Sequence, residues 1–433
     1  MQASSTWKYA QKWKAPFFTI WTGQAFSLLG SQLVSFALIW WLTKTTGSAT
    51  VLSMASLAGL LPQVILGPVV GTLVDRWNRR LVMIVADLVI AAVTAALAWL
   101  FWTGLVQVWH VFVLMAVRSI AGGFHWPAML SSTSLMVPDE HFTRIQGLNQ
   151  MLQGFMNILS APLGALALEF LPVEGVLAID VGTAILAVLP LFFIPIPQPT
   201  RKPVEPGSRQ GTFWHDFKEG FRFAFSWPGL VIIGIMATII NLVINPGFSL
   251  LPIMVTEHFF GGAFELAWIE AAFGVGIIVG GLLLSIWGGF KRRIVTSLLG
   301  MFGMGLGILL MGFVPPWAFY ASVVLLFFIG FFNPITNGPL FAAVQAAVRP
   351  DMQGRVFTLI TSVASAMTPL GLAVAGPVAD LFGVQIWFIV GGAVTMFMAI
   401  LAFFIPAVMN FEKGRNEPIQ PEAAAPAASD PVD

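Results

Sequence analysis

The 433 residues are 57% hydrophobic and only 9% charged, and their formal net charge is +1. Soluble domains carry roughly a quarter charged residues, so this composition excludes an ordinary soluble protein and indicates a chain that crosses a membrane many times. A net charge so close to zero gives no indication of a nucleic-acid partner. The sequence contains no cysteine, which excludes disulfides and thiolate metal ligands, and its five histidines lack metal-binding spacing.

Apolar stretches of about 20 residues recur along the chain, and each can cross the roughly 30 Å hydrocarbon core of a membrane as a helix. Because lipid cannot hydrogen-bond to the backbone, we expect helices there and not an open sheet. The sequence therefore predicts an all-α membrane protein with twelve transmembrane helices. The predicted spans are residues 17–43, 49–74, 81–103, 109–136, 144–170, 175–196, 229–252, 264–287, 294–314, 317–345, 355–380 and 384–409.

The longest connection divides these spans into two groups of six. It begins with four prolines between residues 197 and 206 and continues with phenylalanine at every fourth position from 213 to 225. The second pattern is typical of an amphipathic helix at the membrane interface, although packing against helix ends is an alternative. The predicted domains are an N-terminal half (1–196), a cytoplasmic linker (197–228), a C-terminal half (229–410) and a disordered tail (411–433).

The basic residues predict the orientation, because lysine and arginine accumulate in cytoplasmic loops. All of the 21 basic residues except Lys44 and Arg118 fall on one side of the predicted spans. The opposite connections carry acidic residues such as Glu257 and Asp380. We therefore expect a multi-pass protein of the cell membrane with both termini and the central linker in the cytoplasm.

A charged loop joins the second and third predicted spans. Its sequence is Gly71-Thr72-Leu73-Val74-Asp75-Arg76-Trp77-Asn78-Arg79-Arg80. Gly71 allows another helix to approach closely, and Asp75 lies at the negative end of a helix dipole, where a carboxylate needs a positive partner. The pattern G-x-L-x-D-R-x-x-R-R resembles the loop between the second and third helices of major facilitator superfamily transporters, which usually carry glycine in place of Asn78.

The resemblance implies that this loop is a latch for the outward-facing state. It implies that Asp75 contacts the start of the eleventh span, near Gly354 and Arg355. Arg79 would pair with Asp139 or Glu140 and hold the loop in place. The expected latch residues are Gly71, Asp75, Arg76, Arg79, Arg80, Asp139 and Arg355.

The two halves also repeat each other. Pro127 and Pro138 recur 212 residues later as Pro339 and Pro350. Six spans later the chain has the same orientation, so the repeat is parallel, and substrate sites in such proteins lie near the midplane between the halves. This is the two-half arrangement, with a pseudo-twofold axis, that the major facilitator fold implies.

Three further segments carry the resemblance. Arg118-Ser119-Ile120-Ala121-Gly122-Gly123 resembles the fourth-helix motif of the superfamily. In the second half, residues 273–281 and Asn333-Pro334-Ile335-Thr336-Asn337-Gly338-Pro339 resemble the macrolide-efflux branch of drug–proton antiporters. The resemblance covers nearly the whole chain and implies drug export in exchange for protons.

Four ionisable residues in the spans are candidates for proton coupling: Asp87, Arg118, Asp180 and Glu270. Each costs on the order of 3 kcal/mol in a membrane unless it is paired or hydrated. The resemblance implies that spans 1, 4, 7 and 10 line the cavity, which places Arg118 at its wall, with a structural ion pair as the alternative. Glu270 is expected to carry protons or to hydrogen-bond between helices. For Asp87 and Asp180, on expected peripheral spans, structural pairing is favoured over coupling.

Amide side chains mark the expected substrate cavity. Neutral polar groups among phenylalanine and methionine suit a large, weakly polar ligand. For each amide, a hydrogen bond between helices is the alternative. The predicted cavity residues are Gln24, Gln32, Arg118, Asn241, Asn245, Asn333 and Asn337.

These features predict a monomeric secondary transporter in the lipid bilayer, which exports amphiphilic compounds such as macrolide-like drugs by proton antiport and alternating access. The sequence lacks a phosphate-binding Gly-Lys-Ser loop, so ATP hydrolysis is not expected, and neither is any enzyme activity, cofactor or metal. A siderophore or metabolite exporter and a proton-coupled nutrient importer remain alternatives, although an importer favours several fixed cavity charges. From another class, an intramembrane lipid-handling enzyme or scaffold would need a nucleophile–base pair or a metal cluster at membrane depth.

Overall fold

The computed structural model describes residues 12–197, 227–347 and 350–411. Within these ranges the regular secondary structure is helical, and twelve of the helices have 19 or more residues. They are α1 (Lys14–Thr46), α2 (Ala49–Arg76), α3 (Arg79–Trp102), α4 (Val108–Met136), α5 (Asp139–Phe170), α6 (Val173–Phe193), α7 (Pro228–Ser249), α8 (Ala263–Trp287), α9 (Arg293–Met311), α10 (Phe319–Ala347), α11 (Pro350–Phe382) and α12 (Gln385–Phe404). Shorter helical segments are Leu251–Ile253, the π-helical Met254–His258 and Pro406–Met409.

Ten of the long helices contain a stretch long and apolar enough to cross a membrane, within the part of the chain that the structure describes. In α5 and α11 the apolar stretches are shorter, Ile158–Phe170 and Ala366–Phe382. The predicted all-α, multi-pass membrane fold is therefore confirmed, while the count of twelve spans stays a prediction. The predicted linker helix and C-terminal tail fall almost entirely on residues 198–226 and 412–433, outside the described ranges.

Local signals explain where α2 and α3 begin. The side chain of Ser48 accepts a hydrogen bond from the backbone N–H of Val51 at 3.3 Å, and that of Asn78 accepts one from Leu81 at 3.3 Å. Short polar side chains at these positions satisfy N–H groups that the first helical turn leaves unpaired. Gly47 ends α1 with φ 56°, a left-handed conformation that glycine adopts without strain. Gly47 and Ser48 therefore set the α1–α2 connection, and Asn78 sets the start of α3.

Helix packing is concentrated within α1–α6 and within α7–α12. In the first group α1 packs on α5 and α6, α4 packs on α2 and α3, and α3 packs on α6. In the second group α7 packs on α11 and α12, α10 packs on α8 and α9, and α9 packs on α12. Each pair of the first group thus has a counterpart six helices later, which agrees with the predicted parallel repeat.

The two ends of the bundle can be told apart by their hydrogen bonds. One end, called here the Asp380 face, carries the α1–α2 and α11–α12 connections. There His258 bonds to the carbonyl of Val314 at 2.7 Å and to the amide of Gln385 at 2.6 Å. The other end, called the Arg80 face, carries the α2–α3 connection, and Arg80 donates to the carbonyls of Leu191 and Phe192.

The two groups of helices meet mainly through α2 against α11 and α5 against α8. Gly376 on α11 lies so close to Thr50 on α2 that it has no room for a Cβ. On the other pair, a Cβ at Gly274 would lie 2.7 Å from the side chain of Ile158. An apolar cluster of both groups, with Leu52 and Met254 fully buried in it, fills the space between these pairs. The halves are therefore closed against each other toward the Asp380 face.

Candidate functional site

The first polar cluster, called the Arg118 cluster, joins four helices at membrane depth. Arg118 on α4 donates to the carboxylate of Asp180 on α6 at 2.6 Å and to the hydroxyl of Thr94 on α3 at 2.7 Å. Ser31 on α1 donates to the other carboxylate oxygen at 3.0 Å and offers its carbonyl to Arg118 at 3.3 Å. Asp180 is completely buried and the side chain of Arg118 is 11% exposed. The two charges therefore compensate each other inside the bundle.

A close approach of α1 and α6 makes this cluster possible. Gly30 precedes Ser31, and a Cβ at Gly30 would lie only 3.1 Å from the Cα of Asp180. A larger residue would push α6 outward and move the carboxylate away from Ser31 and Arg118. The glycine is thus required by packing and sets the geometry of the ion pair.

The second cluster, called the Asp87 cluster, consists of three buried side chains from α1, α3 and α4. Gln24 donates to one oxygen of Asp87 at 3.1 Å, while the Nε2 atom of His125 lies 3.3 Å from the other. The same Nε2 atom lies 2.7 Å from the amide oxygen of Gln24. Gln24 is fully buried, and Asp87 and His125 are only 3% and 5% exposed. One carboxyl, one imidazole and one amide therefore share a closed set of contacts.

The two clusters follow from one spacing repeated on three helices. Seven residues separate Gln24 from Ser31 on α1, Asp87 from Thr94 on α3, and Arg118 from His125 on α4. Seven residues are about two helical turns, so each pair lies on one face, roughly 10 Å apart along the helix. Because α4 runs opposite to α1 and α3, Arg118 meets Ser31 and Thr94, whereas His125 meets Gln24 and Asp87. The Asp87 cluster is the one nearer the Arg80 face.

A cavity of about 370 Å³ is lined by residues of both clusters. Arg118, Asp87 and His125 contribute to its wall, and Gln32 lies in it as well. The hydroxyl oxygen of Ser119, another lining residue, is buried and has no hydrogen-bond partner among the residues that the structure describes. The cavity is thus lined by helices of the first group, and its wall combines charged, polar and apolar side chains.

Glu270 lies apart from both clusters, on α8 in the second group of helices. Its carboxyl makes no hydrogen bond and no ion pair with any residue in the described ranges, and its side chain is half-buried. It is the ionisable residue inside α8 that the sequence singled out, and the structure does not bring it to Arg118. Its expected role in proton coupling stays a prediction.

The predicted amide side chains of the second half donate hydrogen bonds to groups one turn earlier on their own helices. On α7, Asn245 donates to the side chain of Asn241 at 3.1 Å and to the hydroxyl of Thr368 on α11 at 2.9 Å. On α10, Asn337 donates to the backbone carbonyl of Asn333 at 3.1 Å. These side chains are half-buried and carry no charge. Gln24, by contrast, belongs to the Asp87 cluster and not to a cavity shared with these asparagines.

The expected latch can be followed only in part. The side chains of Gly71, Asp75, Arg76, Asp139 and Arg355 lie outside the described set, so their predicted contacts stay a prediction. Arg79 donates to the backbone carbonyl of Ser131 at 2.8 Å. Arg80 holds the end of α6 through two carbonyl groups.

A contact between the halves at the other end of α2 was not foreseen. The carboxylate of Asp380 on α11 accepts hydrogen bonds from the N–H groups of Ala49 and Thr50 at 2.9 and 3.2 Å. It also accepts from the hydroxyls of Thr50 at 2.6 Å and Ser48 at 3.3 Å. A carboxylate at a helix N-terminus is favourable because it meets unpaired N–H groups and the positive end of the helix dipole. Asp380 therefore caps α2 across the boundary between the halves.

Sequence reasoning also missed the place of His125. This histidine completes the contacts of Asp87. The seven-residue spacing on α1, α3 and α4 is the signal that would have revealed it. Among the residues that the structure describes, no group of three or more histidine or acidic side chains is placed to hold a metal ion.

Comparisons with known proteins agree with this architecture. A family model described as Major Facilitator Superfamily matches residues 20–371 and 248–429. Macrolide efflux protein A of Streptococcus pyogenes is 34% identical over 400 residues, which are 92% of this chain and 98% of that protein. Multidrug efflux pump Tap of Mycolicibacterium fortuitum is 26% identical over 88% of this chain and 94% of its own length.

Solved structures show the same fold at low sequence identity. A bacterial homologue of the human lysosomal transporter Spinster matches with a TM-score of 0.64 and 14% identity, over 94% of this chain and 97% of that one. The nucleoside transporter NupG matches with a TM-score of 0.63 and 14% identity, over 90% and 98%. At this identity the likeness concerns the helical architecture alone.

Proposed function

Because the chain belongs to the major facilitator superfamily, we propose that it exports amphiphilic drugs, macrolide-like compounds among them, in exchange for protons. The observation that carries the choice of substrate is the 34% identity to Macrolide efflux protein A, which extends over nearly the whole of both chains. Likeness to Multidrug efflux pump Tap supports a range of substrates wider than one compound. The protein is a transporter, and its sequence contains no phosphate-binding Gly-Lys-Ser loop, which favours an ion gradient over ATP as the energy source.

Transport proceeds by alternating access between the two groups of helices. The basic residues orient the Asp380 face outward and the Arg80 face, with both termini and the linker, toward the cytoplasm. The halves are in contact toward the Asp380 face, so the space between them would open toward the cytoplasm in this conformation. Export then requires the Asp380 cap and the α5–α8 contact to separate while the Arg80 face closes, where the latch residues around Asp75 would act.

Proton coupling is assigned to the four ionisable residues of the spans. Arg118 lies in the wall of the cavity and is held there by its ion pair with Asp180, so these two residues would position the site. Asp87 lies at the same cavity, next to a histidine that can gain and lose a proton near neutral pH. Glu270 has no partner within the described ranges, so taking up a proton would remove a charge that nothing else compensates.

The uncharged amides suit the weakly polar part of the substrate. Asn241, Asn245, Asn333 and Asn337 offer hydrogen bonds without a fixed charge, which places few demands on the shape of the ligand. Gln32 would contribute from the side of the first group. The protein acts as a monomer in the cell membrane.

Drug susceptibility and proton flux test the proposal together. Drug-sensitive bacteria that express the protein should tolerate several-fold more erythromycin than cells that express the Arg118→Ala variant. Proteoliposomes should show erythromycin movement only when a proton gradient is imposed, and dissipating the gradient should stop it. Protection without gradient dependence would refute proton antiport, whereas secretion of a siderophore without any drug protection would favour the metabolite exporter.

A further inference from the structure

We propose that an apolar groove between α5, α8 and α10 binds one acyl chain of a glycerophospholipid, and that the bound chain stabilises the conformation in which the halves are closed at the Asp380 face. The groove, called here the α5–α8 groove, is lined by residues between positions 159 and 166 of α5, 264 and 275 of α8, and 323 and 327 of α10. It shares no lining residue with the cavity of the Arg118 and Asp87 clusters. The inference therefore concerns regulation by the membrane and goes beyond the transported compound.

The groove lies in the leaflet of the membrane at the Asp380 face. α8 begins at Ala263 and α10 at Phe319, both on that face, and α5 ends there at Phe170. At 1.5 Å per residue, the lining residues lie within roughly 18 Å of these helix ends. Half of the hydrocarbon core of a bilayer is about 15 Å thick. The groove thus runs along one leaflet and does not cross the membrane.

The lining of the groove matches an acyl chain. The described lining residues are leucine, proline, phenylalanine, alanine, valine and one tryptophan, and large apolar side chains such as Val324 and Leu166 are exposed. The volume of about 650 Å³ is in the range of ligand pockets. An empty groove would deny its walls their dispersion contacts, whereas a drug with several polar groups would leave those groups without hydrogen-bond partners. A lipid tail fills the space and brings no polar group into it.

Trp268 indicates where the polar end of the lipid lies. It is roughly 8 Å from the start of α8 at Ala263, and it is 60% exposed. Tryptophan is typical of the level at which lipid chains join their head groups. The indole N–H of Trp268 makes no hydrogen bond with a residue in the described ranges. The ester carbonyl of a glycerophospholipid can accept from it, which distinguishes this ligand from a plain hydrocarbon.

Both halves of the molecule contribute walls to the groove. The α5 wall belongs to the first group of helices, and the α8 and α10 walls belong to the second. Next to the groove, a Cβ at Gly274 on α8 would lie 2.7 Å from the side chain of Ile158 on α5. Opening at the Asp380 face separates α5 from α8 and therefore parts the two walls. A chain that contacts both walls binds the closed conformation better, and a ligand shifts a conformational equilibrium by that difference in affinity.

Photolabelling in lipid nanodiscs tests the site. The probe is a phosphatidylcholine with a photoreactive diazirine halfway along one acyl chain, and labelled peptides are quantified by mass spectrometry. We expect several-fold more label on the three groove segments than on the exposed apolar residues of α6 and α12. Ala272→Trp narrows the groove and should reduce this labelling several-fold, while Ile286→Trp, exposed near the other end of α8, is the matched control. Uniform labelling of all lipid-facing helices would overturn the site.

The contact with the ester group is tested with two probes. Trp268→Phe removes the indole N–H and keeps an aromatic ring. It should lower labelling by the ester-linked probe about two- to tenfold, the equivalent of one hydrogen bond, and leave labelling by an ether-linked probe unchanged. Equal loss with both probes, or no loss with either, would refute a glycerophospholipid ester at this position.

Distances between the halves test the effect on conformation. Spin labels at Phe170→Cys and Tyr320→Cys, both exposed near the Asp380 face, report the separation of α5 from α10. In nanodiscs of phosphatidylcholine with unbranched oleoyl chains we expect mainly the closed distance. With methyl-branched phytanoyl chains on the same head group, which are too wide for the groove, the ratio of closed to open molecules should fall at least twofold.

Variants separate this effect from bulk properties of the bilayer. Ala272→Trp occupies the groove itself, so the exchange of lipids should leave its distances unchanged, whereas Ile286→Trp should respond like the wild type. An equal response of all three proteins, or of none, would overturn the inference. Leu166→Trp fills the groove from α5 and replaces Ala272→Trp if that variant fails to fold. Neither measurement involves a drug, so absence of drug protection would refute the proposed export and leave this site standing.

Discussion

The two groups of six helices pack in the same order but differ in the polar and ionisable side chains of their cores. In α1–α6 the ionisable residues at membrane depth have partners: Arg118 with Asp180, and Asp87 with His125. In α7–α12 the described polar groups of the core are mainly amides and hydroxyls, and Glu270 has no partner there. The two groups thus share their packing order but differ in their polar side chains. Under the proposed function, the first group would hold charge and the second would offer neutral contacts to a ligand.

Packing between helices differs as well. In the second group, Gly276 and Gly280 on α8 lie against the backbone of Phe327 and Phe331 on α10, and Gly392 on α12 lies against the backbone of Leu309. Each of these sites lacks room for a Cβ. The first group uses a similar approach at Gly30, where it serves the ion pair. Close backbone approaches at glycine are therefore more numerous in the described part of the second group, while both groups also have apolar core clusters.

Breaking the ion pair of the first group should have the largest effect. Arg118→Ala leaves the fully buried Asp180 without its positive partner, which costs about 3–5 kcal/mol for a buried pair. We expect background transport and a much lower unfolding temperature in detergent. Replacing both residues, as in Arg118→Met with Asp180→Leu, should recover part of the stability but none of the transport. Retained export by Arg118→Ala would show that the cluster is dispensable.

Overpacking the contact between α8 and α10 in the second group should have the next largest effect. Gly280→Ala places a methyl group against the backbone carbonyl of Phe331, and overpacking of this kind costs about 1–3 kcal/mol. Gly281→Ala is the matched control, because a Cβ there meets no atom within 4 Å. Thermal unfolding of the two variants side by side measures the difference. Equal unfolding temperatures would contradict the close approach of α8 and α10.

Removing the carboxylate of the second group tests where coupling lies. Glu270→Gln keeps the volume of the side chain but cannot exchange a proton. We expect export driven by a proton gradient to fall, while erythromycin binding stays measurable in the same preparation. Normal gradient-driven export by this variant would assign coupling to the first group alone and sharpen the contrast between the two.

Weakening the cap between the groups should have the smallest effect on stability. Asp380→Asn removes the charge at the start of α2, and loss of a cap costs about 0.5–2 kcal/mol. Because the cap joins the halves, we expect molecules open at the Asp380 face to become more frequent. The chain has no cysteine, so spin labels at Thr45→Cys and Leu381→Cys can report the distance between the two halves at the Asp380 face. Glu257→Gln serves as the control, and an unchanged distance distribution in Asp380→Asn would show that the cap does not hold the halves together.

The helical architecture could be predicted from the sequence because hydrophobic length and the repeat are local signals. The ionisable residues could be predicted too, since Asp87, Arg118, Asp180 and Glu270 stand out in apolar stretches. Their partners could not, because pairing depends on how each helix is rotated about its axis. Arg118 and Asp180 are 62 residues apart in the chain, and only the packing of α4 and α6 brings them together.

The partner of Asp380 at the start of α2 could not be predicted from the sequence either. From the sequence, Asp380 was one acidic residue among several in the outer connections. Its meaning comes from the contact of α2 with α11, which neither helix encodes alone. The predicted contact of Asp75 concerns the same two helices at their other ends, and it stays a prediction.

The asparagines of α7 and α10 carry a consequence for how resistance evolves. Asn245 donates hydrogen bonds to Asn241 and Thr368, and all three are neutral, so exchanging any one of them alters the proposed ligand surface without leaving a charge buried. Substitutions at Gln24 or Asp87 would instead disturb the charge balance of the first group. Bacteria passaged under rising doses of a poorly exported drug should therefore accumulate changes along α7, α10 and α11. Such substitutions would widen the range of exported compounds and leave the charged residues of the first group, which are proposed to couple transport to protons, unchanged.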